Sequence, residues 1–587
     1  ASTDRASGAI GVSSLAEVAA EVRDCFALER RVLRESRSDA SERLPVRIDG
    51  DLERTLLFRA IKSQHASIPK KMYLGWLSNL RSFLEGVVEP VAAGENGVKV
   101  SDGCSGTNIW HHVLNLLGRF WHAEFGTVPF VVDHCASAEI DANKQAFLMS
   151  QFEMTTLVAD VRDLAAPRHM NLVSQSLTMT PWAKIFGGGF SCKNKSKMNS
   201  QRAKFKSTIP DAVGSTGETF DSMKDFIRKT RPFFSMLENV PEIEEAGGGD
   251  SGAPAPSDAS VIKKTFEDMG FTVVTCTFDA KSYGSPASRS RWWCLIWDIP
   301  NYLSDHVTSN FLSVLGEMKT DMINPGEFLL SKNELAKFCE GIIEAAPSAA
   351  AHGPAPKKGK TDANWKSVHE SAFLQHGVEW PPTLPDELHS FRYQREKEVV
   401  FFANQTWPAT ASGWQFFDCN HTFERIFKYP SVKEDGSLKS PWKDFVPTLT
   451  AQSSIAARFM DSDGRVSMRH VHGLECMHFI GWSLGHYKGQ SSPFKTPGVT
   501  PELLEDMAGN AWSGFAVAPI VIAALGAAHF DWYKCDARKR EQEQLEESQE
   551  AATKQMLASS GFGFEHSAGA DTDRENISVS SLASDSD

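Results

Sequence analysis

Val98-Lys99-Val100-Ser101-Asp102-Gly103-Cys104-Ser105-Gly106-Thr107-Asn108 runs directly into Ile109-Trp110-His111-His112-Val113-Leu114-Asn115-Leu116-Leu117. The first residues alternate as a short strand does, the middle is built of small and turn-forming residues, and the last nine carry apolar side chains at helical spacing. Strand, glycine turn and helix in that order open a βα unit. Its turn backbone can approach a ligand, and its helix N-terminus favours polar groups. A purely structural unit reads the same way, so the neighbours decide.

The neighbours repeat the pattern. Short apolar stretches at Phe130–Asp133, Leu157–Ala159, Ile185–Gly187, Phe234–Leu237, Val273–Cys276 and Trp292–Trp297 alternate with polar turns and amphipathic segments. Alternating strands and helices predict a doubly wound α/β sheet. Before it, residues 1–95 read as a helical extension, with Leu15, Val18, Val22 and Phe26 at helical spacing. Gly247–Asp258 and Ala345–Lys360 are too rich in small residues and proline to order themselves, and 537–587 reads as a charged, largely disordered tail.

A chain of 587 residues with 41% hydrophobic content holds more than one domain. Its net charge of -13 gives no overall nucleic-acid signal, so any such role must rest on local clusters. One exists: Lys193, Lys195, Lys197, Arg202, Lys204 and Lys206 fall in a run without an acidic residue. It reads as a phosphate-binding loop or as a solvated basic face. Ten cysteines without a Cys-x-x-Cys pair argue against a zinc ribbon and a disulfide framework, so a reducing compartment and no metal site are expected. The apolar stretch Ala511–Ala528 is interrupted by Ser513, Gly514 and Pro519, which predicts a helix packed inside the protein rather than in a membrane.

Three further segments carry chemistry. Cys192 lies in Gly189-Phe190-Ser191-Cys192-Lys193, Glu238 opens Glu238-Asn239-Val240, and Arg289 and Arg291 close the run from Gly284. Thiol, carboxyl and paired guanidinium groups are what is needed to attack an aromatic ring, polarise it and hold the product. Lys193, Lys195 and Lys197 offer charge that would favour the thiolate. Arg289 and Arg291, being alternate residues, face one way if they stand on a strand. The bland readings are a small buried cysteine and an ordinary surface arginine pair.

In this order the segments resemble the core of the cytosine-5 DNA methyltransferases. The resemblance implies a Rossmann-like, S-adenosylmethionine-dependent methyltransferase core over 96–300 and 446–536. It also implies an inserted smaller target-recognition domain over 301–445, with the disordered insert near 345–360. Cys104, Ser105, Gly106 and Thr107 would form the cofactor turn, Cys104 and Thr107 standing where the family has glycines and Asp102 where it has an aromatic residue. Glu139 would accept hydrogen bonds from the ribose hydroxyls and Asp160 one from the adenine amine, though either carboxylate can also be a helix N-cap. Asn510, in Ala508-Gly509-Asn510-Ala511, resembles the family's last motif, which folds back on the first.

On the base side, the Cys192 thiolate would add to carbon 6 of cytosine, with Glu238 on the exocyclic amine and Asn239 bracing the loop. Arg289 would meet the base carbonyl, and Arg291 would hold Glu238 or the cysteine turn. Ser191, Lys193 and Ala287 replace the family's proline and two glutamines. The basic run matches the loop that closes over a flipped-out base. Thr448-Leu449-Thr450 and Arg465–His470 match the motif that supports the recognition domain, with His470 in place of a glutamate. The implied partner is duplex DNA with a flipped cytosine and the implied location is nuclear. Alternatives are RNA, as in the tRNA-methylating branch, and a non-catalytic DNA-binding relative.

Overall fold

The computed structural model describes residues 98–528 apart from 126–131, 198, 200, 206–207, 249–253, 300–303, 340–364, 421–425, 427–431, 435–438 and 483–498. The expectations for 1–95, 345–360 and 537–587 lie outside the described residues.

Seven strands make one sheet: β1 (Val98–Gly103), β2 (Val132–Ala138), β3 (Thr156–Val158), β4 (Ile185–Gly189), β5 (Phe234–Asn239), β6 (Thr272–Asp279) and β7 (Ser290–Trp297). Their order is β6-β7-β5-β4-β1-β2-β3, and all neighbours are parallel except β7, which runs antiparallel to both β5 and β6. Counting outward, the chain runs one way from β1 and the other way from β4. At such a switch point the loops leaving the carboxyl ends part and open a crevice. The turn after β1 and the turn after β4 therefore face the same opening.

Both faces of the sheet are covered, as its near-continuous apolar strands require. Helices α1 (Ile109–Phe125), α2 (Ala142–Gln151), α3 (Gly214–Thr230) and α4 (Asp258–Asp268) follow β1, β2, β4 and β5. On β7, Trp292, Cys294 and Ile296 join a core with Phe220, Met223 and Phe226 of α3 and Ile262 and Phe266 of α4. The alternate Trp293 and Trp297 point the other way, where Trp297 meets Phe311 of α5 (Ser304–Glu317) at 5.7 Å between ring centroids. Helix α7 (Gly514–Ala528) packs on α1 and α5 on that side and is preceded by α6 (Pro501–Asn510). Among the described residues no single helix is long and apolar enough to cross a membrane; α6 and α7 pass such a test only as a bent pair.

A second, antiparallel sheet runs β8 (Gly413–Asp418), β9 (Ile455–Met460), β10 (Val466–His470). Beside it Phe373, Leu388, Phe391, Val399, Phe402 and Trp442 form a separate core. Helix α5 sides with the main sheet, and the small sheet continues to residue 470 because β9 supplies the hydrogen-bonding edge for both β8 and β10. The aromatics of this region are mostly packing: Phe391 and Phe416 are buried, while Tyr393 is 61% exposed. Of the Gly247–Asp258 stretch, residues 249–253 lie outside the described residues, while Gly247–Gly248 pairs with Pro254–Ala255 and Asp258 opens α4.

Candidate active site

Cys192 sits just past the carboxyl end of β4, in a turn closed by Lys195 and Ser196 N–H groups donating to its carbonyl at 3.0 and 2.9 Å. Asn239, at the end of β5, donates from Nδ2 to Phe190 O at 3.0 Å, so the bracing expected of it is present. The cysteine is exposed, yet the cleft walls desolvate its thiol, and this together with Glu238 raises its pKa above the ordinary value. Arg291 and Arg289 oppose the rise. Those two guanidinium groups, not the lysines expected from the sequence, are the cations that favour the thiolate.

Arg291, on β7, reaches across to β5 and places Nε 2.7 Å from Glu238 Oε1, the pairing expected for it. Arg289 makes a backbone contact that the sequence did not indicate. Its Nη1 donates to Leu449 O and Gly509 O, both at 3.2 Å, because the side chain is buried at the seam where those two segments meet the sheet. These two bonds use Nη1 alone and clamp residues 449 and 509 to the sheet. Burial, and then Arg291, lowers its pKa to about 9.

The turn after β1 alternates left-handed residues: Cys104 (φ 56°), Gly106 (φ 54°) and Asn108 (φ 53°). Asparagine tolerates this conformation better than most side chains, and the structure thus shifts the last glycine-like position from Thr107 to Asn108. At Gly106 a side chain would meet only Cys104 O at 4.0 Å, which leaves the turn with an open face. Ser105 donates from its backbone to Ala138 O at 2.9 Å, and Thr107 is buried beneath. Cys104 is exposed, yet desolvation by the surrounding turn, then the carboxylates of Glu139, Asp160 and Asp102, raise its pKa, which favours the neutral thiol.

Glu139 accepts Gly106 N–H at 2.7 Å and Asp141 N–H at 2.9 Å, one on each oxygen, and so fixes the turn from β2. Each oxygen keeps a lone pair for a ligand hydroxyl. Asp160 is the N-cap of the 3-10 turn Val161–Ala165 and pairs with Arg162, which lowers its pKa; its carboxylate is engaged as the alternative reading of it foresaw. Asn510 closes α6 and donates back to Asp506 O at 3.0 Å rather than toward the β1 turn. Asp102, which takes the aromatic position, is buried and anchors a polar network of Ser137, His134 Nε2 at 3.1 Å and the Ser105 hydroxyl.

The basic run is not free of counter-charge. Lys195 is buried 2.7 Å from Asp258, Lys197 lies 2.8 Å from Glu242, and Arg202 lies 3.3 Å from Glu245. Asp258 also accepts the Thr208 N–H and hydroxyl, so one carboxylate ties together the two ends of the loop. Lys193 and Lys204 pair with no carboxylate among the described residues, and Lys206 lies outside them. Near the second sheet, Arg469 pairs with buried Glu475, which supplies the carboxylate that His470 lacks.

Sequence reasoning missed Asn194, Asp258 and Glu475. A usable signal existed for the first: Val213 cannot cap the helix it precedes, so an acceptor had to come from elsewhere.

A profile of the C-5 cytosine-specific DNA methylase family matches residues 99–319. A DNA (cytosine-5-)-methyltransferase of Cryptococcus neoformans var. grubii, DMT5, is 25% identical over 276 residues, or 47% of this chain. The chain spans 11% of the length of that curated relative. Among solved structures, the Entamoeba histolytica methyltransferase EhMeth is similar at 9% identity and a TM-score of 0.39. The S. pombe Dnmt2 methyltransferase is similar at 13% identity and a TM-score of 0.34. Each comparison covers 73% of this chain and 98% of the other, and likenesses this distant carry no argument about substrate.

Proposed function

We propose that this chain, a divergent member of the C-5 cytosine-specific DNA methylase family, methylates carbon 5 of cytosine in DNA through a covalent bond to Cys192. The observation that carries the reading is the accessible thiol of Cys192 at the switch-point crevice, under the opposed charges of the Arg291–Glu238 pair. The thiolate adds to carbon 6, and the ring's electron pair moves to carbon 5, which takes the methyl group. Loss of the carbon 5 proton and cleavage of the carbon–sulfur bond then restore the aromatic ring and free Cys192. Glu238 binds the exocyclic amine, while Arg289 acts through its charge on the thiol and its grip on residues 449 and 509.

The methyl donor of this family is S-adenosylmethionine, which supplies the methyl group as an electrophile. The residues after β1 fit it: an open turn at Gly106 and a carboxylate at Glu139 positioned for ribose hydroxyls. Lys193 and Lys204 reach the phosphates flanking a flipped cytosine. On this reading the protein acts in the nucleus, which imaging of a tagged chain checks.

Duplex DNA carrying 5-fluorocytosine tests the reading, because fluorine at carbon 5 cannot leave as a proton does and the thioether persists. The expected result is a denaturation-resistant adduct at Cys192, absent in Cys192→Ser. An adduct with 5-fluorocytosine tRNA alone would move the substrate to RNA, and no adduct with either would overturn the covalent mechanism.

A further inference from the structure

Helix α3 begins without a cap of its own. Val213, which precedes it, offers no side-chain oxygen, although the first N–H groups of a helix need acceptors. The acceptor comes from the nucleophile's turn. Asn194 Oδ1 receives the Thr216 N–H at 3.0 Å and the Ser215 hydroxyl at 3.2 Å, and the Asn194 N–H donates to Thr216 Oγ1 at 3.2 Å.

This fit is specific. Asn194 is 8% exposed, and a Cβ at Gly214 (φ +65°) would stand 2.9 Å from its Oδ1, so the helix entry is shaped around that amide. On the other side of Cys192, the Ser191 N–H donates to Thr219 Oγ1 at 2.9 Å. The cysteine is thus bracketed by two residues that are both fastened to the first turns of α3. Asn239 Nδ2 also braces Phe190 O and Asn199 Nδ2 donates to Lys193 O at 2.7 Å, but neither ties the turn to the start of α3, and Ser191 lacks the ring that a proline would contribute.

We infer that Asn194 is a positioning residue for the Cys192 thiol, holding the nucleophile's turn in register by capping α3 in place of Val213. The inference rests on the proposed transfer reaction. A reacting atom displaced by a fraction of an ångström loses much of its rate while substrate binding is untouched, which distinguishes positioning from a general structural role.

The test is the rate of thioether formation with 5-fluorocytosine duplex DNA, together with kcat and KM, for the full chain and three variants at a temperature where circular dichroism shows all of them folded. Asn194→Ala should slow adduct formation and kcat by about 10–100-fold with KM for DNA unchanged. Asn194→Asp keeps the capping acceptor and should recover most of the rate. Ser215→Ala removes one donor and should give a smaller loss in the same sense, and it stands in for Asn194→Ala should that protein not fold. Wild-type rates in the folded variants, or equal losses for the Ala and Asp replacements, overturn the inference alone. A wild-type chain that forms no adduct overturns it together with the transfer reading.

Discussion

Arg291 and Glu238 hold each other at 2.7 Å across two antiparallel strands, and they act on the Cys192 thiol with opposite signs. Burial and Glu238 raise its pKa, so the thiolate fraction, and with it the alkylation rate, climbs with pH through a midpoint above that of a free cysteine. Removing the negative charge with Glu238→Gln should move that midpoint down, and Arg291→Gln should move it up. Below the midpoint each unit of displacement is about a tenfold change in thiolate. Iodoacetamide labelling of Cys192, read by peptide mass against pH, checks both directions; midpoints that move together would show that the pair does not set the thiol's charge.

Glu139 fixes the turn after β1 by accepting Gly106 N–H at 2.7 Å, and on the proposed function it accepts ribose hydroxyls as well. Glu139→Ala should therefore weaken S-adenosylmethionine binding by about 1–3 kcal/mol, the scale of lost hydrogen bonds to a charged group. Calorimetry on the full chain measures it. Glu139→Gln retains one acceptor oxygen and should lose less; an unchanged affinity in both would put the cofactor elsewhere.

What the sequence made legible was whatever strand alternation and local chemistry carry. Cys192, Glu238 and Arg291 are legible as candidates because each stands at or beside a strand of one sheet and is marked by its own short local motif. The backbone clamp made by Arg289 is not legible, since its acceptors lie 160 and 220 residues away and nothing local marks their carbonyls. The same limit misread the basic run: Asp258, Glu242 and Glu245 come from other elements, and a count of neighbouring charges cannot see them. Asn108 was missed for a different reason. Its left-handed backbone is a property of the turn's conformation, which asparagine permits but does not announce.

The ion pairs change what the basic run should do on DNA. Lys193 and Lys204, without carboxylate partners among the described residues, should each flatten the slope of log affinity against log salt by nearly one unit when replaced with Gln. Lys197 and Arg202 must first leave Glu242 and Glu245, which then recapture cations from solution, so their replacement should change the slope less. Salt titrations of the two double variants on one duplex give the comparison. Coincident slopes with the unaltered chain would remove this loop from the DNA interface.

Asp258 should matter most to stability among these acidic residues. Its carboxylate is almost fully buried, lies 2.7 Å from Lys195 Nζ, and also receives the Thr208 N–H at 3.1 Å and the Thr208 hydroxyl at 2.7 Å. Replacing it with Ala takes the carboxylate away from a buried ammonium group and a buried amide at once, and removing one partner of such a pair typically costs about 3–5 kcal/mol. Lys195→Met should cost less, because the Thr208 donors still satisfy the carboxylate. The double replacement Lys195→Met with Asp258→Leu should recover part of the Asp258→Ala loss, since no charge is then left buried, but not all of it, since the Thr208 amide stays without its acceptor. Urea unfolding of the four proteins decides the order. Equal stabilities would mean that water reaches this pair freely and that the neck of the loop is not closed by it.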